Sequence, residues 1–213
     1  MEVVMFTGII QGIASINKVI EKDQVKTFEI IFPKGFCKDL QQGASISIDG
    51  VCLTVTNIID DITVHFDVVL QTLNITTLGS FKANQKVNAE RASKQGDEIG
   101  GHPLSGHIDF KCKLQNIEKI GNNQKFSFKI AHNWSKYIFS KGFIAINGTS
   151  LTVSEIDKNT NVFEVWLIPE TLSETTFSDK KIGQDLNIEI DRNTQIMVDT
   201  INAAIDEKLK KFN

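Results

Sequence analysis

Ser45-Ile-Ser-Ile-Asp-Gly-Val-Cys-Leu-Thr-Val55 and Phe143-Ile-Ala-Ile-Asn-Gly-Thr-Ser-Leu-Thr-Val153 are one passage written twice, 98 residues apart. Six of the eleven positions are identical, and Asp49 is matched by Asn147. The shift recurs along the chain. Gln71-Thr-Leu73 corresponds to Glu170-Thr-Leu172, and Thr76-Thr77 to Thr175-Thr176. Val87-Asn-Ala-Glu90 corresponds to Leu186-Asn-Ile-Glu189, and Gly8-Ile-Ile10 to Gly106-His-Ile108. Separated matches held in one register mark a duplicated domain, because solenoid repeats have periods of only about 20–50 residues.

Each copy reads as all-β. Ile46-Ser-Ile48, Leu53-Thr-Val55 and Ile62-Thr-Val-His-Phe66 alternate with the period of a strand that has one face on a core. Asp49-Gly50 and Asn147-Gly148 lie between strand-like runs and predict tight hairpins. Gly121-Asn-Asn123 and Asp157-Lys-Asn-Thr160 mark further turns. Short strands at this spacing predict a barrel of about six strands per copy, since closure removes exposed edges. Short helical turns are expected over 33–40 and 134–139. The glycine pair Gly100-Gly101 places the boundary, giving barrels over 1–100 and 101–192.

After Asp191 the period becomes helical. Val198, Ile201, Ile205 and Phe212 share one face, with Leu209 beside it and Ala204 flanking. Asp191 or Asn193 can cap the N-terminus, and Lys208, Lys210 and Lys211 suit the negative end of the dipole. This segment, 193–213, has no counterpart after the first copy. Its apolar stripe needs a partner, either its own barrel or equivalent helices of other chains.

Composition narrows the function classes. Of 213 residues, 41% are apolar and 23% charged, the balance of an ordinary globular protein. Net charge is −3 and the one basic cluster is the lysine tail, so the footprint of a nucleic-acid binder is missing. No apolar run approaches the roughly 20 residues that span a bilayer. The N-terminus lacks a basic region followed by a long apolar stretch, so a cytoplasmic protein with no membrane partner is expected. Cys37, Cys52 and Cys112 are odd in number and form no Cys-x-x-Cys, which implies neither a disulfide framework nor a zinc knuckle.

Candidate chemistry comes in repeat-related pairs. Cys52 and Ser150 each follow a hairpin glycine by two residues. A small polar residue there can bind a ligand or act as a nucleophile, or simply fill a tight strand position. Thr72 and Thr171, preceded by Gln71 and Glu170, can contact a ligand or cap the following turn. The stretch from Gly100 to Asp109 carries His102 and His107. Their spacing across Gly and Pro fits no helical zinc motif, so no metal is expected. Acid–base or hydrogen-bonding roles suit them better, because imidazole titrates near neutrality. His65 and His132 stand alone and read as structural or solvated.

Taken together, Met5-Phe-Thr-Gly-Ile-Ile-Gln-Gly12, Gly50-Val-Cys-Leu-Thr-Val55, Val87-Asn-Ala-Glu-Arg91, Gly100-Gly-His-Pro-Leu-Ser-Gly-His-Ile-Asp109, Lys141-Gly-Phe-Ile-Ala-Ile-Asn-Gly-Thr-Ser-Leu-Thr-Val153 and Leu167-Ile-Pro-Glu-Thr-Leu172 resemble the riboflavin synthases of the lumazine-binding-repeat type. The resemblance runs from Met5, where the family usually begins, through the C-terminal helix. It implies two six-stranded Greek-key barrels and a helix that trimerises the enzyme, with association with lumazine synthase as a further partner. It implies that two molecules of 6,7-dimethyl-8-ribityllumazine dismutate, one giving a four-carbon unit to the other. The products would be riboflavin and 5-amino-6-ribitylaminouracil, with no metal or redox cofactor. Each barrel would bind one lumazine, and the productive site would lie between the N-terminal barrel of one subunit and the C-terminal barrel of its neighbour.

By the same resemblance, the N-terminal site comprises Thr7, Gly8, Ile9, Ile10, Ser45, Cys52, Leu53, Thr54, Asp67, Val68, Val69, Leu70, Gln71 and Thr72. The C-terminal site comprises Gly106, His107, Ile108, Lys141, Ser150, Leu151, Thr152, Trp166, Leu167, Ile168, Pro169, Glu170 and Thr171. Cys52, Ser150 and His107 are the candidates for proton transfer or nucleophilic addition, with His102 and Asp191 behind them. The two copies differ where chemistry would happen: Cys52 faces Ser150, Ile9 faces His107 and Gln71 faces Glu170. Gln71 also departs from an acid common in the family, and Pro103 is unusual in its segment. Lumazine and flavin antenna proteins of luminous bacteria share the duplicated fold without turnover and are the rival reading. They tend to lose the Phe-Thr-Gly start and the polar residues of the second barrel, which this chain keeps. An interaction module on tandem barrels is a third reading, and it would not need those residues in register.

Overall fold

The computed structural model describes residues 6–22, 25–94 and 96–210. Met5, Lys211 and Phe212 lie outside the described residues. The first repeat forms β1 (Gly12–Lys22), β2 (Val25–Ile31), β3 (Ser45–Ile48), β4 (Val51–Ile58), β5 (Thr63–Val69) and β6 (Lys86–Arg91). These close into an antiparallel barrel in the order β1-β2-β5-β4-β3-β6. The second repeat forms β7 (Phe110–Ile120), β8 (Asn123–Lys129), β9 (Phe143–Ile146), β10 (Thr149–Asp157), β11 (Val162–Leu167) and β12 (Asp185–Ile190). Its ring β7-β8-β11-β10-β9-β12 has the same topology. Short helices α1 (Leu70–Ile75), α2 (His132–Ser135) and α3 (Pro169–Glu174) lie in connections, and α4 (Arg192–Lys210) ends the described chain.

Alternation puts Phe28, Ile30, Ile46, Ile48, Val64 and Phe66 inside the first barrel, and Phe126, Phe128, Ile144, Ile146, Phe163 and Val165 inside the second. Each such side chain contributes about 1.5–3 kcal/mol by leaving water. Ser47 breaks the alternation, since it is buried between two buried isoleucines. Its outward face meets the other barrel, where the α-carbon region of Gly148 lies against its hydroxyl.

The hairpins have the dihedrals that Asx-Gly turns supply. Asp49 and Gly50 sit at φ 44° and 85°, Asn147 and Gly148 at 46° and 78°, as a type I′ turn requires. The two glycines also face each other. A Cβ on Gly50 would stand 2.7 Å from the amide nitrogen of Gly148, and one on Gly148 would stand 2.8 Å from that of Gly50.

Around this contact the barrels are tied by hydrogen bonds in near-twofold pairs. Cys52 N donates to Gly106 O, and Ser150 N to Gly8 O, both at 2.9 Å. Asn88 Nδ2 donates to Asn147 O at 3.0 Å, and Asn187 Nδ2 to Asp49 O at 2.8 Å. Thr77 N donates to Asn187 Oδ1 at 2.7 Å, and Thr176 N to Asn88 Oδ1 at 2.8 Å. The buried Asn88 and Asn187 amides are thereby satisfied across the seam, while Asp49 Oδ1 and Asn147 Oδ1 accept within their own barrels from Asn88 N and Asn187 N at 2.8 Å.

Two expectations change, and one open alternative is resolved. Residues 33–40 form successive turns, not a helix, with Gly35 and Asp39 at positive φ interrupting any run. The second helical turn starts at His132 and stops at Ser135, because the next bonds, Tyr137 N to Trp134 O and Ile138 N to Ser135 O, are of the tighter three-residue kind. Asp191, not Asn193, caps α4: its Oδ2 accepts from Thr194 N at 3.0 Å and Thr194 Oγ1 at 2.6 Å.

The stripe on α4 finds little cover on its own barrel. Val198 is half-buried, but Ile201 and Ile205 are 53% and 50% exposed. Near its start, Asp199 binds Tyr137 Oη at 2.6 Å and Lys136 Nζ at 3.2 Å. Among the described residues no helix is long and apolar enough to cross a membrane.

Candidate active site

On β4, Val51, Leu53 and Val55 fill the barrel, so Cys52 and Thr54 face outward. Ser45 on β3 and Asp67 and Val69 on β5 join them on that outer face, next to Gln71 and Thr72 on α1. The corresponding face of the second barrel carries Ser150 and Thr152 on β10, Phe143 on β9, Trp166 on β11, and Ile168, Glu170 and Thr171 at the start of α3. The faces are related by the duplication but differ in chemistry. Ser45 and Asp67 of the first are replaced by Phe143 and Trp166 in the second, which are 52% and 43% exposed.

The leading segment of each repeat crosses to the other barrel. Gly8 lies against Ser150, where a Cβ on Gly8 would come within 2.6 Å of Ser150 Cβ. Gly106 lies likewise against Cys52, and Ile108 joins the core of the first barrel. The expected grouping set Thr7–Ile10 with Cys52 and Gly106–Ile108 with Ser150, whereas the structure sets Gly8 against Ser150, and Gly106 and Ile108 against the first barrel. The backbone bonds Ser150 N to Gly8 O and Cys52 N to Gly106 O are the physical reason, since each arm adds to the neighbouring barrel's strand.

A buried glutamate holds each arm. Glu90 Oε1 accepts from Thr7 N at 2.6 Å and Thr7 Oγ1 at 2.7 Å, and its Oε2 accepts from Gly8 N at 3.0 Å. Glu189 does the same for Ser105 N, Ser105 Oγ and Gly106 N at 2.8, 2.7 and 3.0 Å. Burial pushes both carboxyls above the ordinary carboxylate range, while the hydrogen bonds pull the other way.

At the second face His102 is buried and stacked on Phe143, with ring centroids 5.0 Å apart and planes 14° from parallel. Its Nδ1 lies 2.6 Å from Ser150 Oγ, and its Nε2 has no hydrogen-bond partner among the described residues. Burial lowers the imidazole's pKa and the nearby Asp191 opposes the shift. A neutral imidazole on a hydroxyl is a pair that can move a proton. At the first face the matching group is the Cys52 thiol, raised by burial, lowered by a hydrogen bond to Ser45 and raised again by Glu189. Such a thiol stays protonated at neutral pH and is a weak nucleophile.

The remaining candidates fall into clear places. Leu53, Val68, Leu151 and Leu167 are core residues whose side chains point away from both faces. Val69, Leu70, Ile168, Pro169, Lys141 and His107 are exposed, and Ile10 is half-buried. Thr72 and Thr171 do not cap the next turn through their hydroxyls. Thr76 and Thr175 fill that role, and the carbonyls of Thr72 and Thr171 accept from them. Asp191 caps α4 behind His102. His65 pairs with Glu29 at 2.8 Å, and His132 is exposed beside Asn161. Cys37 and Cys112 are buried free thiols, the latter pushed up to about 12 by its surroundings. Glu90, Glu189, Phe143 and Arg192 were not among the sequence candidates, and Asp109 entered only with the two histidines as a metal ligand that was set aside. The recurring Asn-x-Glu at 88–90 and 187–189 carried a signal for the glutamates, because both are polar residues kept in strands that are otherwise buried.

Comparison with known proteins agrees with this arrangement. The lumazine binding domain matches twice, over residues 7–92 and 105–191. Riboflavin synthase of Escherichia coli (strain K12) is 44% identical over 210 residues, covering 98% of this chain and 97% of that protein. Riboflavin synthase of Chlamydia pneumoniae is 41% identical over 201 residues, covering 94% and 97%. Among solved structures, LumP complexed with 6,7-dimethyl-8-(1'-D-ribityl) lumazine superposes with a TM-score of 0.79 at 29% identity, and LumP complexed with riboflavin with 0.80 at 31%. Each covers 88% of this chain and all of LumP. With two matching domains and relatives of this identity over nearly their full length, the chain belongs to the riboflavin synthase family of paired lumazine-binding domains.

Proposed function

We propose that the chain is a riboflavin synthase that dismutates two molecules of 6,7-dimethyl-8-ribityllumazine. One lumazine gives a four-carbon unit to the other, leaving riboflavin and 5-amino-6-ribitylaminouracil. Atoms balance between two substrates and two products. The observation that carries this reading is the pair of related but unlike faces, Cys52 with Ser45 on one and Ser150 with His102 on the other. Two identical molecules in different roles call for such a pair. Holding them in register can remove about 7–11 kcal/mol of a bimolecular barrier.

In this reading one lumazine lies on the first face, against Ser45, Cys52, Thr54, Asp67, Val69, Leu70, Gln71, Thr72 and the arm at Gly106–Ile108. The other lies on the second face, against Lys141, Ser150, Thr152, Trp166, Ile168, Pro169, Glu170, Thr171 and the arm at Thr7–Ile10. The Ser150–His102 pair takes a proton from the acidic 7-methyl group of one molecule. The protonated Cys52 thiol and His107 hydrogen-bond charge developing on the ring of the other. The catalytic set is then Cys52, Ser150, His107 and His102, with Asp191 acting on His102.

The uncovered stripe of α4 supports a homotrimer in which the first face of one subunit meets the second face of its neighbour. The exposed Val69, Leu70, Phe143, Trp166 and Ile168 fit that arrangement, because apolar patches of this kind mark ligand or partner surfaces. A cytoplasmic location and association with lumazine synthase complete the proposal. The test is to mix purified protein with 6,7-dimethyl-8-ribityllumazine and follow riboflavin by its absorbance and fluorescence. One riboflavin per two lumazines consumed is expected. Stoichiometric binding without product would instead indicate an antenna or storage protein, and no binding an interaction module.

A further inference from the structure

The arm at 105–109 is held more firmly than its counterpart. Besides Glu189, it is fixed by Asp109, whose Oδ2 accepts from Ile190 N at 2.8 Å. Asp109 Oδ1 accepts from Arg192 Nη1 at 2.8 Å, and Arg192 Nη2 donates to the backbone oxygen of His107 at 2.6 Å. In the first repeat Gln11 occupies the position of Asp109, and its Oε1 accepts from Arg91 N at 2.9 Å. The neutral amide keeps the bond to the strand but carries no charge to pair with a guanidinium. Among the described residues the guanidinium clamp is found on the second arm and not on the first. Arg192 is also the first residue of α4.

We propose that Arg192 is a positioning residue for the first-barrel face: by bridging Asp109 and His107 it fixes Gly106–Ile108 against Cys52 and ties that face to the assembly helix. The inference rests on the reading of the two faces as ligand sites. A planar guanidinium suits the role because it reaches two acceptors at fixed angles, whereas a lysine ammonium is a single flexible point charge. The side chain of Asp109 is 8% exposed, so the pair is sheltered from the screening that weakens surface ion pairs. Movement of the start of α4 on assembly would be passed directly to His107.

The test uses the full chain with R192K and R192Q, and with D109N, which keeps an acceptor for Ile190 N but loses the charge. Riboflavin is the probe, titrated by fluorescence quenching to resolve two sites per chain. The backbone amides of Cys52 and Ser150 are followed by NMR, and thermal melting confirms the fold. Riboflavin affinity is expected to fall about tenfold at one site in R192Q and less in R192K. The Cys52 amide signal should move while that of Ser150 stays. Equal weakening of both sites, or parent-like affinity with an unmoved Cys52 amide in R192Q and D109N, would overturn the proposal. Absence of turnover in the parent would count against the proposed reaction alone, since binding and the amide signals read the clamp without it.

Discussion

The imidazole of His102 and the hydroxyl of Ser150 are 2.6 Å apart although 48 residues separate them in sequence. They meet because Gly101 permits close approach. A Cβ there would lie 2.2 Å from Thr7 O and 2.6 Å from Ser150 Cβ. The packing that joins the barrels therefore also sets the one imidazole–hydroxyl contact at either face among the described residues. Replacing Ser150 with Ala, or His102 with Gln, should lower turnover by about 100-fold, the lower end of what general acid–base catalysis supplies. Initial rates of riboflavin formation at saturating lumazine check this, and full turnover in both variants would remove the pair from the chemistry.

His102 should also leave a mark on stability. Its pKa is depressed in the folded chain, so the unfolded state binds more protons between the folded value and about 6.5. Stability from this group is present above that window and is lost as pH falls through it. The buried Glu90 and Glu189, raised in the folded state, push the other way. The clean readout is thus a difference between parent and H102Q. Urea unfolding from pH 7 to pH 5 should show the parent losing stability relative to the variant. A constant gap would mean the imidazole titrates as freely as in water.

Cys52 should behave as a thiol. With burial holding its pKa above the ordinary value, alkylation by iodoacetamide should be slow at pH 7–8 and accelerate only at higher pH than for a free cysteine. Mass spectrometry of the Cys52 peptide over a pH series measures this, with the buried Cys37 and Cys112 as slower internal references. Rapid labelling at neutral pH would indicate a thiolate and restore a nucleophilic role.

Gly50→Ala and Gly148→Ala should each cost at least about 2 kcal/mol, from left-handed backbone plus overpacking at the seam. Gly35→Ala, at φ 86° but with open space around it, should cost only the backbone part. Chemical denaturation separates the two cases. Equal losses at Gly35 and Gly50 would show that the glycine-to-glycine contact contributes nothing.

On α4, Ile201→Asp and Ile205→Asp place charges on the uncovered stripe. Light scattering should show the proposed homotrimer falling to monomers, and turnover should fall with it while the circular dichroism of the barrels is kept. An unchanged mass would contradict assembly through this stripe.

Much of this was legible in the sequence for one reason: duplication prints every structural requirement twice. The hairpins at Asp49-Gly50 and Asn147-Gly148 and the inward rows of β4 and β10 could be read from period and turn chemistry alone. The crossing of the arms could not. Glu90 grips Thr7 over 83 positions, and Gly106 reaches Cys52 from the other repeat. Such contacts are chosen by tertiary packing, about which local propensity is silent. Assigning each arm to the barrel that follows it in sequence grouped Gly8 with Cys52 and Gly106 with Ser150, whereas the structure sets Gly8 against Ser150 and Gly106 against Cys52. Phe143 was overlooked because its repeat partner is Ser45, so the pairing that exposed other site residues hid this one.

The separation of two riboflavin molecules bound to the assembled protein would decide most. One ring should lie over β3–β5 of one chain and the other over β9–β11 of a second chain, face to face at van der Waals distance, about 3.5–4 Å. If every such pair of bound rings stood farther apart than a ring's own width, no four-carbon unit could pass between them.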